Sequence, residues 1–134
     1  MKIWRNAVVF YIGGMFYCTV ELLWRGWTHG SMFVLGGLCV LCVCEAGRGL
    51  PLLWHMLLGT VIVTTLEFLM GLLVNQVWHM GVWDYSDAPM NVLGQICLPF
   101  SLLWFVLCGI AIPLEGQLRH ALFGTPLPQR RFIL

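Results

Sequence analysis

An all-α bundle that lives in a lipid bilayer and crosses it four times is the fold class predicted by three observations. Hydrophobic residues make up 60% of the chain and charged residues only 10%. Mean hydropathy is +0.86. The apolar residues also collect into four runs separated by short polar segments. A soluble domain carries charge on about a quarter of its residues, whereas these 134 residues include 7 basic and 6 acidic side chains. Lipid is therefore the expected solvent, and a net charge of +1 leaves no electrostatic footprint for nucleic acid. All six cysteines (Cys18, Cys39, Cys42, Cys44, Cys97 and Cys108) lie in or beside apolar runs, where they read as small hydrophobes rather than a disulfide framework.

The four spans form a single transmembrane domain. The first, 7–24, follows Lys2 and Arg5. A basic start before an apolar run is also how a signal peptide begins, but no A-x-A-like cleavage site closes this one and further spans follow, so it is expected to persist. The second, 31–44, is short, because a crossing takes about 20 residues. It either borrows residues 27–30 or ends against protein. The third covers 52–78 and the fourth 96–114, leaving a cytoplasmic tail of 115–134 that turns irregular from Gly124 and whose Arg130–Arg131 pair suits anionic lipid.

An even number of spans puts both termini on one side. Lys2, Arg5, Arg48, Arg119, Arg130 and Arg131 share that side against Arg25 on the other, so the positive-inside rule places both termini in the cytoplasm, as expected for a multi-pass protein of the plasma (inner) membrane. Trp4 and Trp54 mark the inner interface, and Trp24, Trp27, Trp78 and Trp83 the outer one; Trp104 falls well inside the fourth span and fits neither belt. Glycines at 13, 14, 36, 37, 59, 71 and 109 permit the close helix approach that drives association in lipid.

A shift of 46 residues aligns Gly13 with Gly59, Thr19 with Thr65, Glu21 with Glu67 and Leu23 with Leu69. The match divides the chain into two repeated helical hairpins, each with a glutamate on its first helix. From the starts of their spans, Glu21 and Glu67 lie roughly 21–23 Å deep at 1.5 Å per residue, in the outer half of a bilayer core about 30 Å thick. A charge at mid-membrane costs about 2.5–3.5 kcal/mol on insertion scales. Glu21 has Arg25 one turn away as an i, i+4 partner. No helical neighbour of Glu67 offers a charge, which makes it the stronger functional candidate.

Between the third and fourth spans the sequence GVWDYSDAPMNVLGQ supplies Asp84, Tyr85, Ser86, Asp87, Asn91 and Gln95 with turn-forming Pro89 and Gly94. With Arg25, Thr28 and His29 from the first connection, these residues are expected to line a polar vestibule above the two glutamates. His29, His79, Glu21, Glu67 and Asp84 are acceptable metal ligands in type, without a recognised spacing. Cys39 and Cys42 share a helical face and Cys44 points elsewhere, a lipid-facing stripe before it is a metal or redox site. His55 and His120 have no evident partner.

At this point the residues resemble a known family, the ABC-transporter type IV or CmpB-like small membrane proteins. Glu67 precedes Trp83-Asp84-Tyr85-Ser86, followed by Pro89, Asn91 and Gly94, and then Ser101 and Trp104 in the last span. In the first half, Glu21, Arg25 and Gly26 fit as well. Family members typically follow that Arg-Gly with Gly-Pro and Pro-Ile-Tyr-Gly stretches, whereas this chain has His29, Gly30, Ser31 and Phe33–Gly36. The resemblance implies a membrane bundle and transport. No GxxxxGK[ST] motif is present, so any ATP-driven step would need another chain.

Three function classes stay open. One is a permease-like component that binds a small cation, proton or polar solute through Glu21, Arg25, Glu67, Asp84, Tyr85, Asn91 and Gln95, as a homodimer or within a larger membrane complex. Another is a membrane-embedded enzyme acting on a lipid or lipid-linked substrate, with Glu67 and Asp84 dividing acid and base roles; neither GxSxG nor HExxH occurs. The last is a structural subunit. No cofactor is indicated.

Overall fold

The computed structural model describes residues 2–127, 132 and 133, apart from the side chains of Lys2 and Arg25. Four α-helices dominate: α1 (Lys2–Arg25), α2 (Gly30–Ala46), α3 (Leu52–Gly71) and α4 (Leu98–Phe123), with a π-helical turn at Leu72–Val77 continuing α3. No β-strand forms among the described residues; Val92 and Ile96 make one isolated bridge. Ile3–Trp24, Leu52–Val77 and Leu98–Phe123 are each long and apolar enough to cross a bilayer, while α2, at 17 residues, is shorter. The chain is thus an all-helical, multi-pass membrane protein.

The helices pair most closely within two hairpins, α1 with α2 and α3 with α4, and α2 also packs on α3. In the first hairpin the contact is a glycine seam. A Cβ added at Gly36 would lie 2.6 Å from the Tyr17 Cβ and 3.1 Å from the Gly13 carbonyl oxygen, so the two backbones approach as only glycine allows. Phe33 closes over Gly14 from the other side. Along α3 the buried residues recur every fourth position, at His55, Gly59, Val63, Glu67 and Gly71, the single face that an i, i+4 row presents to its neighbours. The core of Met32, Leu35, Val43, Val63, Cys108 and Ile112 lies between that face, α2 and α4.

Several residues sit differently from their sequence-based expectation, each for a packing reason. The last helix runs past the apolar span that ends at 114 to Phe123, with the irregular tail from Gly124 as expected, because Glu115 and Arg119 form an i, i+4 ion pair and Gly124, at φ 70°, supplies the left-handed cap. On α2, Cys39 and Cys44 both point inward and Cys42 outward, since a helix flanked by two others buries a broad arc. His55 is fully buried with Nε2 2.7 Å from the Val43 carbonyl oxygen, and His120 places Nδ1 2.8 Å from the Thr125 carbonyl oxygen. Trp83 packs inside the protein rather than lying exposed, and it donates from Nε1 to the Gln95 carbonyl at 2.9 Å. Beyond the helices, the Phe132 carbonyl accepts from the Leu53 amide at 2.8 Å and the Ile133 carbonyl from Trp54 Nε1 at 2.9 Å, so the end of the chain covers donors that the first turn of α3 would otherwise leave open.

Candidate functional site

Glu67 projects from the buried face of α3, and its side chain is almost wholly withdrawn from the surface, at 2% exposure. Its hydrogen-bond donor comes from α4: the Trp104 indole Nε1 reaches Glu67 Oε2 at 2.6 Å. Trp104, the tryptophan too deep for an interfacial belt, is therefore at mid-span to serve a carboxylate. Its ring stacks on Tyr17 of α1, with centroids 5.7 Å apart and planes inclined by 29°. One turn along α4, Ser101 Oγ lies 3.4 Å from Thr64 Oγ1, adding hydroxyls beside the same α3–α4 seam. Three helices thus converge on one carboxylate.

Glu21 stands one turn from Tyr17 on α1, half-buried, and acts electrostatically on both Tyr17 and Glu67. Among the described residues no lysine, arginine or histidine acts on Glu67. Its carboxyl is met, among those residues, by an indole N–H, an arrangement suited to a proton or an incoming cation. The side chain of Arg25, the expected partner of Glu21, lies outside the described residues.

The connection from Trp78 to Cys97 is built differently. Its anchor is the π-helical turn, which presents Asn75 to the connection: Asn75 Oδ1 accepts from the Val82 amide at 2.7 Å, and Nδ2 donates to Gln95 Oε1 at 2.8 Å. Gln95 is buried and also donates from Nε2 to the Leu93 carbonyl at 2.9 Å. Asn91 donates to the carbonyls of Ser86 and Ala88, both at 3.0 Å, and accepts from the Gly94 amide at 3.2 Å. Tyr85 stacks on Phe100, with centroids 4.7 Å apart, and its amide donates to the Gly94 carbonyl at 2.7 Å. Asp84 is exposed and accepts from the hydroxyl and the amide of Ser86, which hold its carboxyl below the usual carboxylate range.

The structure therefore separates the sequence candidates into two groups. Glu67 is bonded by Trp104, whose ring stacks on Tyr17, one turn from Glu21 on α1. Asp84, Asn91 and Gln95 spend their polar atoms on the shape of the connection. A cleft of about 180 Å³ does open there, lined by Asn75, Gln76, Asp84, Ser86 and Gln95, but neither glutamate is on its wall. A second, apolar groove of about 290 Å³ runs between the start of α2 and the π-helical turn, with His29 and Ser31 at its polar edge. No group of three or more His, Cys, Asp and Glu side chains placed to hold a metal is found among the described residues, so His29, His79, Glu21, Glu67 and Asp84 are not gathered into one ligand set.

Sequence reasoning overlooked Tyr17 and Asn75 altogether and gave Trp104 and Ser101 no role. The available signal was the misfit of Trp104: an indole N–H deep in an apolar span needs an acceptor, and Glu67 was the acceptor at matching depth. Comparison with curated proteins and with solved structures finds no match. Residues 4–124 match the model of the family described as "Putative ABC-transporter type IV".

Proposed function

From its place in the ABC-transporter type IV family, to which this chain belongs, we propose that it is a permease-like membrane component that takes a small cation, a proton or a polar solute at Glu67, with Glu21 as the second carboxylate. The observation that carries this reading is the Glu67 carboxylate, buried at mid-bundle with one neutral donor, Trp104, and a second glutamate within electrostatic range. Burying a carboxyl whose partner among the described residues is a neutral indole N–H is costly. Such groups in membrane bundles mark ion and substrate paths. In this reading α2 crosses together with the three longer helices, both termini face the cytoplasm, and the bundle works in the plasma membrane as a dimer or with partner subunits.

The test is thermal unfolding of wild type and of Glu67→Gln, alone and with Glu21→Gln, in detergent, across monovalent and divalent cations, polar solutes and lipids. A ligand that binds only the folded protein raises its melting temperature. The expected result is at least one ion or solute that stabilises wild type and leaves the glutamine variants unmoved. If every ligand shifts wild type and variants alike, the glutamates are packing groups and the reading fails.

A further inference from the structure

A second buried carboxylate lies at the other end of the bundle, on the side of the termini. Glu115 has a side chain 3% exposed, on α4 two residues after Pro113. Oε1 pairs with Arg119 Nε and lies 3.6 Å from Arg48 Nη2. Oε2 is buried with no hydrogen-bond partner. Arg119 continues to α1, donating from Nη2 to Asn6 Oδ1 at 2.9 Å. Arg48, in the turn between α2 and α3, is also bound to Glu45 at 2.8 Å. At the tip of α4, Phe123 meets the Trp4 ring edge-on at 5.1 Å, and the Arg5 guanidinium carbon sits 5.5 Å from the Phe123 centroid.

These contacts share a geometry. The described ion pairs, hydrogen bond and ring contacts that tie residues 115–123 to α1 and to the α2–α3 turn are made by side chains, and the segment begins directly after a proline inside the helix. Pro113 has no amide to give the Gly109 carbonyl, and its ring crowds that carbonyl, which is where helices bend. A stretch with a hinge at one end and ionic and aromatic fasteners along it can swing as a unit once the fasteners release. Two buried thiols lie near the hinge and the latch: Cys108, two turns before Glu115 on α4 and facing Gly59 of α3, and Cys44, one turn before Arg48.

We propose that residues 114–123 are a hinged arm closing the terminus-side end of the bundle, with Pro113 as hinge and Glu115, held by Arg48 and Arg119, as latch. The proposal rests on the transport reading in one respect: a bundle that admits a ligand to Glu67 must be shut at one end while it opens at the other. The arm moves as the inner gate of that cycle, and the structure holds it closed.

The experiment is site-resolved thiol labelling of the full chain in lipid nanodiscs with a charged maleimide, each cysteine quantified by mass spectrometry. The variants are Glu115→Gln, Arg48→Gln and Pro113→Ala. In wild type Cys44 and Cys108 label slowly. In Glu115→Gln and Arg48→Gln both rates rise, by about tenfold or more for a locally released element, while Cys97, buried at the opposite end of the bundle, stays at its wild-type rate. In Pro113→Ala, where the helix regains its hydrogen bond, Cys108 labels more slowly than in wild type. A parallel rise at Cys97 overturns the gate, because the cluster is then a staple for the whole fold. Unchanged labelling in Arg48→Gln, which removes the most exposed member of the latch, overturns it as well, as does wild-type labelling in Pro113→Ala. If the labelling pattern holds while no ligand discriminates Glu67→Gln from wild type, the arm stands and the transport reading falls.

Discussion

The α1–α2 hairpin reverses within residues 26–29 and closes across glycines; the α3–α4 hairpin reverses through residues 78–97 and closes across polar side chains. The 46-residue alignment places equivalent glutamates on the first helix of each, yet their surroundings diverge. Opposite α1, the glycines of α2 bring the backbones together. Opposite α3, α4 presents Trp104 and Ser101, and Trp104 binds Glu67 directly. The lesson is that the second helix of the hairpin, not the one carrying the glutamate, decides whether the carboxylate is gathered into the interior. Glu67 is buried and Glu21 half-buried because their partners differ.

The contrast can be broken most severely in the first hairpin. Gly36→Leu asks for a side chain where even a Cβ would strike the Tyr17 Cβ and the Gly13 carbonyl. The expected loss is at or above the roughly 3 kcal/mol upper end of ordinary overpacking, read as a lowered unfolding midpoint in detergent. Next comes the second hairpin's donor. Trp104→Phe keeps a ring over Tyr17 and removes the N–H, leaving a buried acceptor unsatisfied at a cost of about 1–3 kcal/mol; combined with Glu67→Leu, which removes the acceptor, the loss attributable to the missing N–H should disappear. A smaller loss, about 1 kcal/mol, is expected from Asn91→Ala, which cuts three hydrogen bonds in a half-buried part of the connection. It should appear as faster amide exchange confined to residues near 86–94.

The smallest effect is a pH dependence in the same connection. Asp84 is hydrogen-bonded as the anion, and its carboxyl is lowered in the folded protein. Its contribution to the order of the turn is therefore present above the ordinary carboxylate value of about 3.9 and lost as pH falls through the lower folded value. Exchange at the Ser86 amide should accelerate in acid below about pH 4, and Asp84→Asn should flatten that response.

What could be seen in the sequence follows from which physical signals are local. Three long apolar helices and the short second one derive from hydropathy and a 1.5 Å rise, properties of a segment by itself. The end of α4 was hidden because LEGQLRHALF loses apolar character while an ion pair keeps it helical. The π-helical turn at Leu72–Val77 has an ordinary composition, and its purpose appears only when Asn75 is seen bridging Val82 and Gln95. For Asp84, Asn91 and Gln95 the sequence does not disclose the hydrogen bonds each makes within the connection, because polar residues in a loop read the same whether they face a solute or one another. Trp104 and Glu67 were both visible, but a contact between residues 37 positions apart depends on how two helices are rotated against each other, which no single segment encodes.

The indole bond to Glu67 also has an optical consequence. Tryptophan emission responds to the charge at the end of its ring, so protonation of Glu67, or arrival of a cation beside it, changes the field along the Trp104 transition. With the other six of the chain's seven tryptophans replaced by phenylalanine, the protein would carry its own fluorophore wired to the buried carboxylate, and occupancy could be followed in milliseconds without a label.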